Sequence, residues 1–183
     1  MFSKKMLVMP FLLLMAACSS GVTRDSNLDL TQAQFATADR KAGQVAISLT
    51  ADAQKELVDN LKFDEEKLLY TVRRALEVKG VLTKDSDPAL PSIEISVTDI
   101  RVRSNVAAVL LGFMAGDDRI KGDVIVYSPE HRELQRFGVS ASYALGGLAG
   151  GQDEARMGWL YESFAKRVVE ELTGATATTA DAK

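Results

Sequence analysis

Residues 120–143 read IKGDVIVYSPEHRELQRFGVSASY, and their pattern decides the fold. Along residues 134–143, Phe137, Val139, Ala141 and Tyr143 alternate with Arg136, Gly138, Ser140 and Ser142. That period of two marks a strand with one buried face. Residues 120–127 are the strand before it, and Ser128, Pro129, Glu130, His131 and Arg132 make the turn between them. Working outward, Ile93, Ile95 and Val97 alternate in an earlier strand. Ile100 and Val102 fall on the opposite parity there, which predicts a bulge or two buried faces. Val45, Ile47 and Leu49 alternate in the first strand, residues 44–49.

Helical signals fill the gaps. Asp64 is a good N-cap, followed by Glu65 and Glu66 in the first turn, where the helix dipole favours acids. Leu68, Leu69, Val72 and Leu76 then recur at helical spacing, and Gly80 supplies the stop. Residues 50–62 carry a weaker pattern compatible with a short helix that places Leu57, Val58 and Leu61 on one side. Residues 153–172 form the closing helix, with Met157, Leu160, Phe164, Val168 and Leu172 inward. The expected order is β-α-β-β-β-α: a two-layer α+β sandwich whose mixed four-stranded sheet carries its helices on one face.

Composition narrows the function. The chain has 183 residues, 46% hydrophobic and 26% charged, which is ordinary for a globular domain. Its 22 basic residues against 25 acidic ones give no reason to expect nucleic acid as a partner. A single cysteine excludes an internal disulfide framework and zinc sites of the CxxC type. Neither a metal nor another cofactor is expected.

The amino terminus reads MFSKKMLVMPFLLLMAAC. Two lysines, an apolar run over residues 6–17 and small residues before the cysteine are the parts of a secretory signal. The run is shorter than the ~20 residues of a spanning helix. Leu14, Met15, Ala16, Ala17 and Cys18 resemble the lipobox of bacterial lipoprotein precursors, Met15 standing where Leu is usual. The resemblance implies cleavage before Cys18 and acylation of its thiol and amine. Ser19 after the cysteine implies the outer membrane of a Gram-negative bacterium, with the domain facing the periplasm. Two or more acyl chains make a stable anchor. Loss of Lys4 and Lys5 leaves 20 bases against 25 acids in the mature chain.

These readings divide the chain into a signal peptide (1–17), an acylated cysteine with a flexible tether (18–43), one domain (44–173) and a polar tail (174–183). A flexible linker of that length places the domain roughly 25–30 Å from the membrane on average.

Two connections are unusually apolar for loops. Residues 105–116 read NVAAVLLGFMAG and residues 144–151 read ALGGLAGG. The chain direction places both at one end of the sheet. Val109, Leu110, Leu111, Phe113 and Met114, with Leu145 and Leu148, are therefore candidates for a contact surface. The surface would meet another envelope protein, a second copy or the bilayer. The competing reading packs residues 106–114 onto the domain's own core.

Catalytic patterns are absent. The glycine-rich link lies between strand and helix, but it matches no phosphate-binding motif, and Asp153 and Glu154 would repel an anion. His131, the only histidine, stands in a turn with no nucleophile motif nearby. Asp117 and Asp118 lack the spacing of a calcium loop and read as a solvated turn. Arg101, Arg103 and Arg119 flank the first apolar connection, suited to snorkel or to pair with those acids. The expectation is a protein that is not an enzyme. Alternatives are a small-ligand or lipid carrier and, more remotely, a small hydrolase using His131 or Asp117.

The lipobox, the helix over residues 68–80, the strand over residues 93–103, the glycine-rich link and the closing helix together resemble a bacterial lipoprotein family, domain of unknown function 4410, over residues 45–172. The resemblance implies a periplasm-facing outer-membrane lipoprotein and no known activity. A looser likeness, of fold only, is to the α+β periplasmic domains of curli-secretion and TolB-type proteins, which act through protein contacts.

Overall fold

The helix caps and the three strand pairs within residues 44–143 follow from the side-chain pattern. The computed structural model describes residues 20–23, 41–58, 60, 62–103, 117–143 and 153–174. Along them run β1 (Ser20–Thr23), β2 (Gln44–Leu49), α1 (Ala51–Glu56), α2 (Glu65–Val78), β3 (Ser92–Arg101), β4 (Asp118–Tyr127), β5 (Glu133–Tyr143) and α3 (Asp153–Leu172). The sheet order is β1-β5-β4-β3-β2. β2 and β3 are parallel, with Val45 opposite Ile93, and the other pairs are antiparallel.

α2 starts where Asp64 Oδ1 accepts the Lys67 N–H at 2.9 Å. It stops at Gly80, whose φ of 72° suits a residue without Cβ. Leu68, Val72 and Leu76 of α2 and Met157, Leu160, Phe164, Val168 and Leu172 of α3 are buried against the inward residues of β3, β4 and β5. The Tyr161 hydroxyl of α3 accepts the Asp64 N–H at 2.8 Å, and its ring meets Phe63 edge to face. Burial pushes the Tyr161 phenol up to about 12, so it stays protonated.

The parity change in β3 is a bulge. Val97 faces Gly122 and Asp99 faces Lys121, so Thr98 is the extra residue. It allows Val97 and Ile100 both to be buried. Beyond the bulge β2 has ended, and side chains replace it. Glu56 Oε2 accepts the Ile100 N–H at 2.7 Å. Asn60 Oδ1 accepts the Val102 N–H at 2.6 Å, and its Nδ2 donates to the Ile100 carbonyl at 3.3 Å.

Three expectations need correction. The sheet has five strands, because Ser20–Thr23, assigned to the tether, pairs with β5. An edge strand satisfies backbone groups that β5 would otherwise leave open, and backbone pairing demands no particular side chains. The ordered domain also begins before residue 44: Ala42 is buried, donates from its N–H to the Val81 carbonyl at 2.7 Å and accepts from Thr83 N–H at 3.0 Å. Thirdly, α1 ends at Glu56, so Leu57 and Val58 share no helical side: Leu57 is half-buried and Val58 is 76% exposed, while Leu61 lies outside the described residues.

Gly43 sits in this first segment under tight constraint. A Cβ there would lie 1.9 Å from the Asp87 carbonyl oxygen, while Asp87 N–H donates to the Gly43 carbonyl at 3.2 Å. The backbone cannot retreat without breaking its own bond. Gly43→Ala is expected to destabilise the domain by about 1–3 kcal/mol, read as a lower urea midpoint at unchanged m-value.

Candidate functional site

The two apolar connections leave and rejoin the fold at four described points: Arg103 after β3, the start of β4, Tyr143 at the end of β5, and the first turns of α3. One carboxylate ties the four together. Asp118 shares the parity of Ile120, Val124 and Val126, so it points inward from the end of β4. Its side chain is 0% exposed, and those of Arg103 and Arg156 are 2% exposed. Asp118 Oδ1 accepts the Arg103 backbone N–H at 2.7 Å and its Nε at 3.3 Å. Oδ2 accepts Arg103 Nη2 at 3.0 Å and lies 3.3 Å from Arg156 Nη1. Arg103 Nη2 also donates to the Tyr143 carbonyl at 3.1 Å, and Arg156 Nη2 donates to the Arg103 carbonyl at 3.1 Å.

A fork of guanidinium donors on a buried carboxylate is directional as well as strong. The arrangement is an electrostatic clamp. Both carboxylate oxygens of Asp118 are held and the side chain is out of solvent. Its chemical capacity is to fix the spacing of β3, β4, β5 and α3 where the connections begin.

On the open face of the sheet, beside the clamp, Asp99 accepts from Arg119 Nε at 2.7 Å and pairs with Lys121 Nζ at 3.2 Å. Arg119 Nη1 also lies 3.9 Å from Asp117 Oδ1. Burial pushes the Asp99 carboxyl up, but hydrogen bonds and charge from Arg119 and Lys121 outweigh it and hold the pKa below its ordinary 3.8. A lowered folded pKa stabilises above the unfolded value and loses that contribution as pH falls through the folded one. Asp99→Asn is therefore expected to flatten the acid limb of stability below about pH 4, measured as urea midpoints across that range.

The site residues read from sequence divide three ways. Cys18, Val109, Leu110, Leu111, Phe113, Met114, Leu145 and Leu148 lie outside the described residues. Asp118, read with Asp117 as a solvated turn, instead opens β4 and is buried because its parity places it in the core, while Asp117 lies just before the strand and is half-buried. Pairing of Arg103 and Arg119 with acids is observed. Sequence reasoning missed Arg156, although its place next to Met157 and one turn before Leu160 puts it on the inward side of α3.

His131 stands exposed in the β4–β5 turn with φ of 60°, its ring stacked on Tyr127 at 5.8 Å. Asp117 precedes the opposite end of β4. The ten-residue strand holds the two about 30 Å apart at ~3.4 Å per residue, so they cannot share one site. A cleft of about 270 Å³ between the starts of α2 and α3 is lined by Lys62, Asp64, Lys67, Glu154, Met157 and Tyr161. It lies below the ~300–1,000 Å³ usual for ligand pockets, and four of its six lining residues are charged. Among the described residues, no group of three or more His, Cys, Asp or Glu could hold a metal. No helix among them is long and apolar enough to cross a membrane.

Residues 24–147 match the family described as domain of unknown function DUF4410. The chain belongs to the DUF4410 family. The matched stretch carries β2 to β5 and Asp118 with Arg103, while Arg156 of α3 lies beyond it. No curated protein matches this DUF4410 chain significantly. Among solved structures it is similar to the PelC dodecamer from Paraburkholderia phytofirmans, at 13% identity and TM-score 0.48, covering 85% of this chain and 99% of that one. It is also similar to a minor lipoprotein from Acinetobacter baumannii, at 10% identity and TM-score 0.41, covering 73% and 94%. The rare lipoprotein B from Shewanella oneidensis follows at 16% identity and TM-score 0.34, covering 74% and 95%. These likenesses are too distant to bring a function to the DUF4410 domain.

Proposed function

We propose that this protein is a lipid-anchored lipoprotein of the Gram-negative outer membrane, facing the periplasm, which works by contact with another envelope component and not by catalysis. The observation that carries the reading is the Asp118 clamp, which joins all four roots of the two apolar connections at one rigid point. A buried ion triad of this kind is costly to assemble, and here its product is a fixed platform for the segments holding Leu110, Phe113, Leu145 and Leu148. The separation of His131 from Asp117 and the charged, shallow cleft also support contact over hydrolysis or carriage.

Cys18→Ala is expected to move the protein from the membrane fraction to the soluble fraction. Retention on the membrane after signal cleavage would place the anchor elsewhere and overturn the anchored reading. Contact is tested in the unlipidated domain with Leu110→Ser and Phe113→Ser. Lost crosslinking at a nearly unchanged melting temperature supports a contact surface. If instead each change costs ~2–5 kcal/mol of stability and crosslinking persists, the residues belong to the core and the contact reading fails.

A further inference from the structure

We infer that the folded domain stands end-on against the lipid bilayer, with the clamp end of the sheet facing the membrane. The inference rests on the acylation of Cys18 proposed above and names the surface that the anchored end meets. Strand direction carries it. β1 runs antiparallel to β5, with Ser20 opposite Ala141 and Thr23 opposite Gly138. β5 ends at Tyr143, which lies opposite Asp118. Ser20 therefore enters the sheet at the clamp end, and Thr23 points away from it.

Only Ser19 separates Ser20 from Cys18. Two Cα steps of 3.80 Å keep the Cys18 Cα within about 8 Å of that of Ser20, whatever path Ser19 takes. The turn at Ser128–Arg132 closes the other end of β5, about 30 Å away at ~3.4 Å per residue. The acyl chains on Cys18 must therefore leave from the clamp end. A tether of 25 residues would let the domain face any direction, whereas one residue does not. The described residues that flank both apolar connections, Arg103, Asp118, Tyr143 and the start of α3, lie at this same end. The bilayer is therefore the envelope component nearest this end, because the acyl chains hold it there.

The test uses the full, acylated protein. Cys18 is the only cysteine, and its thiol is consumed by the lipid, so an introduced cysteine is the sole reactive thiol. Glu154→Cys, at the exposed start of α3, reports the clamp end, and Glu130→Cys reports the exposed far turn. Each is labelled with a fluorophore and reconstituted in phosphatidylethanolamine–phosphatidylglycerol vesicles containing headgroup-nitroxide lipid. The expected result is quenching at least threefold stronger at position 154 than at 130. Equal quenching, or stronger quenching at 130, in protein that floats with vesicles and carries acyl mass overturns the orientation while leaving the anchor intact. So does a label at 154 that is shielded from nitroxide lipid and crosslinks to a second copy. Protein without acyl mass that fails to float overturns both the anchor and the orientation.

Discussion

Asp118→Ala is expected to lower the stability of the domain by about 3–5 kcal/mol, the cost of removing one partner from a buried ion group. The guanidinium groups of Arg103 and Arg156 would remain out of water with the carboxylate between them gone. For a domain of this size the melting temperature should fall by roughly 10–20 °C. Thermal denaturation of the unlipidated domain measures it. The clamp also makes a sign prediction. Adding Arg156→Met to Asp118→Ala should recover part of the loss, because one of the two buried guanidinium charges that faced the carboxylate disappears, and a double-mutant cycle reads that coupling directly. Additive losses would mean that Asp118 and Arg156 do not act as one unit.

Phe164→Ala is expected to cost a similar amount, about 3–5 kcal/mol, for a different reason. Phe164 is fully buried in α3 above β4, where its ring tip approaches Gly122. A Cβ on Gly122 would lie 3.2 Å from Phe164 Cζ and 3.0 Å from the Ser96 carbonyl oxygen. Glycine is thus the partner that lets the ring reach the sheet. Gly122→Ala alone should cost about 1–3 kcal/mol through overpacking. In a Phe164→Leu background the same change should cost less, since only the Ser96 contact remains. Urea denaturation of the four proteins tests this, and equal penalties in both backgrounds would sink the packing account.

The candidate site was only partly legible before the fold was known. Asp118 and Arg103 are 15 residues apart across an apolar connection, and their opposite charges alone suggest a pair. Adjacent acids usually mark solvent, and that prior outweighed the parity which places Asp118 on the core side of β4. Extending the alternation of Ile120, Val124 and Val126 backwards by one step would have found it. Arg156 was harder, because a charged residue in the first turns of an amphipathic helix normally faces water. Its burial depends on a carboxylate 38 positions earlier in the chain.

The amino-acid sequence by itself determined the elements with local causes. Alternation at Phe137, Val139 and Ala141 dictates a half-buried strand, and Asp64 and Gly80 bound α2, because these signals act over one to four residues of backbone. The order of the longer elements within residues 44–173 follows from them, while the structure adds the short α1 between β2 and α2; the lipobox reading at Cys18 is equally local. Tertiary structure alone decided that Ser20–Thr23 completes the sheet, that Asp118 is the hub of two buried arginines, and which end of the domain lies nearest the cysteine. The four residues of β1 are too few to show a period, and their pairing with β5 runs through backbone groups common to every residue. Distant partners on β5, more than a hundred positions along the chain, supply those groups. Such pairing exists only once the chain has folded, and the direction of β1 then sets the end of the sheet at which Ser20 enters.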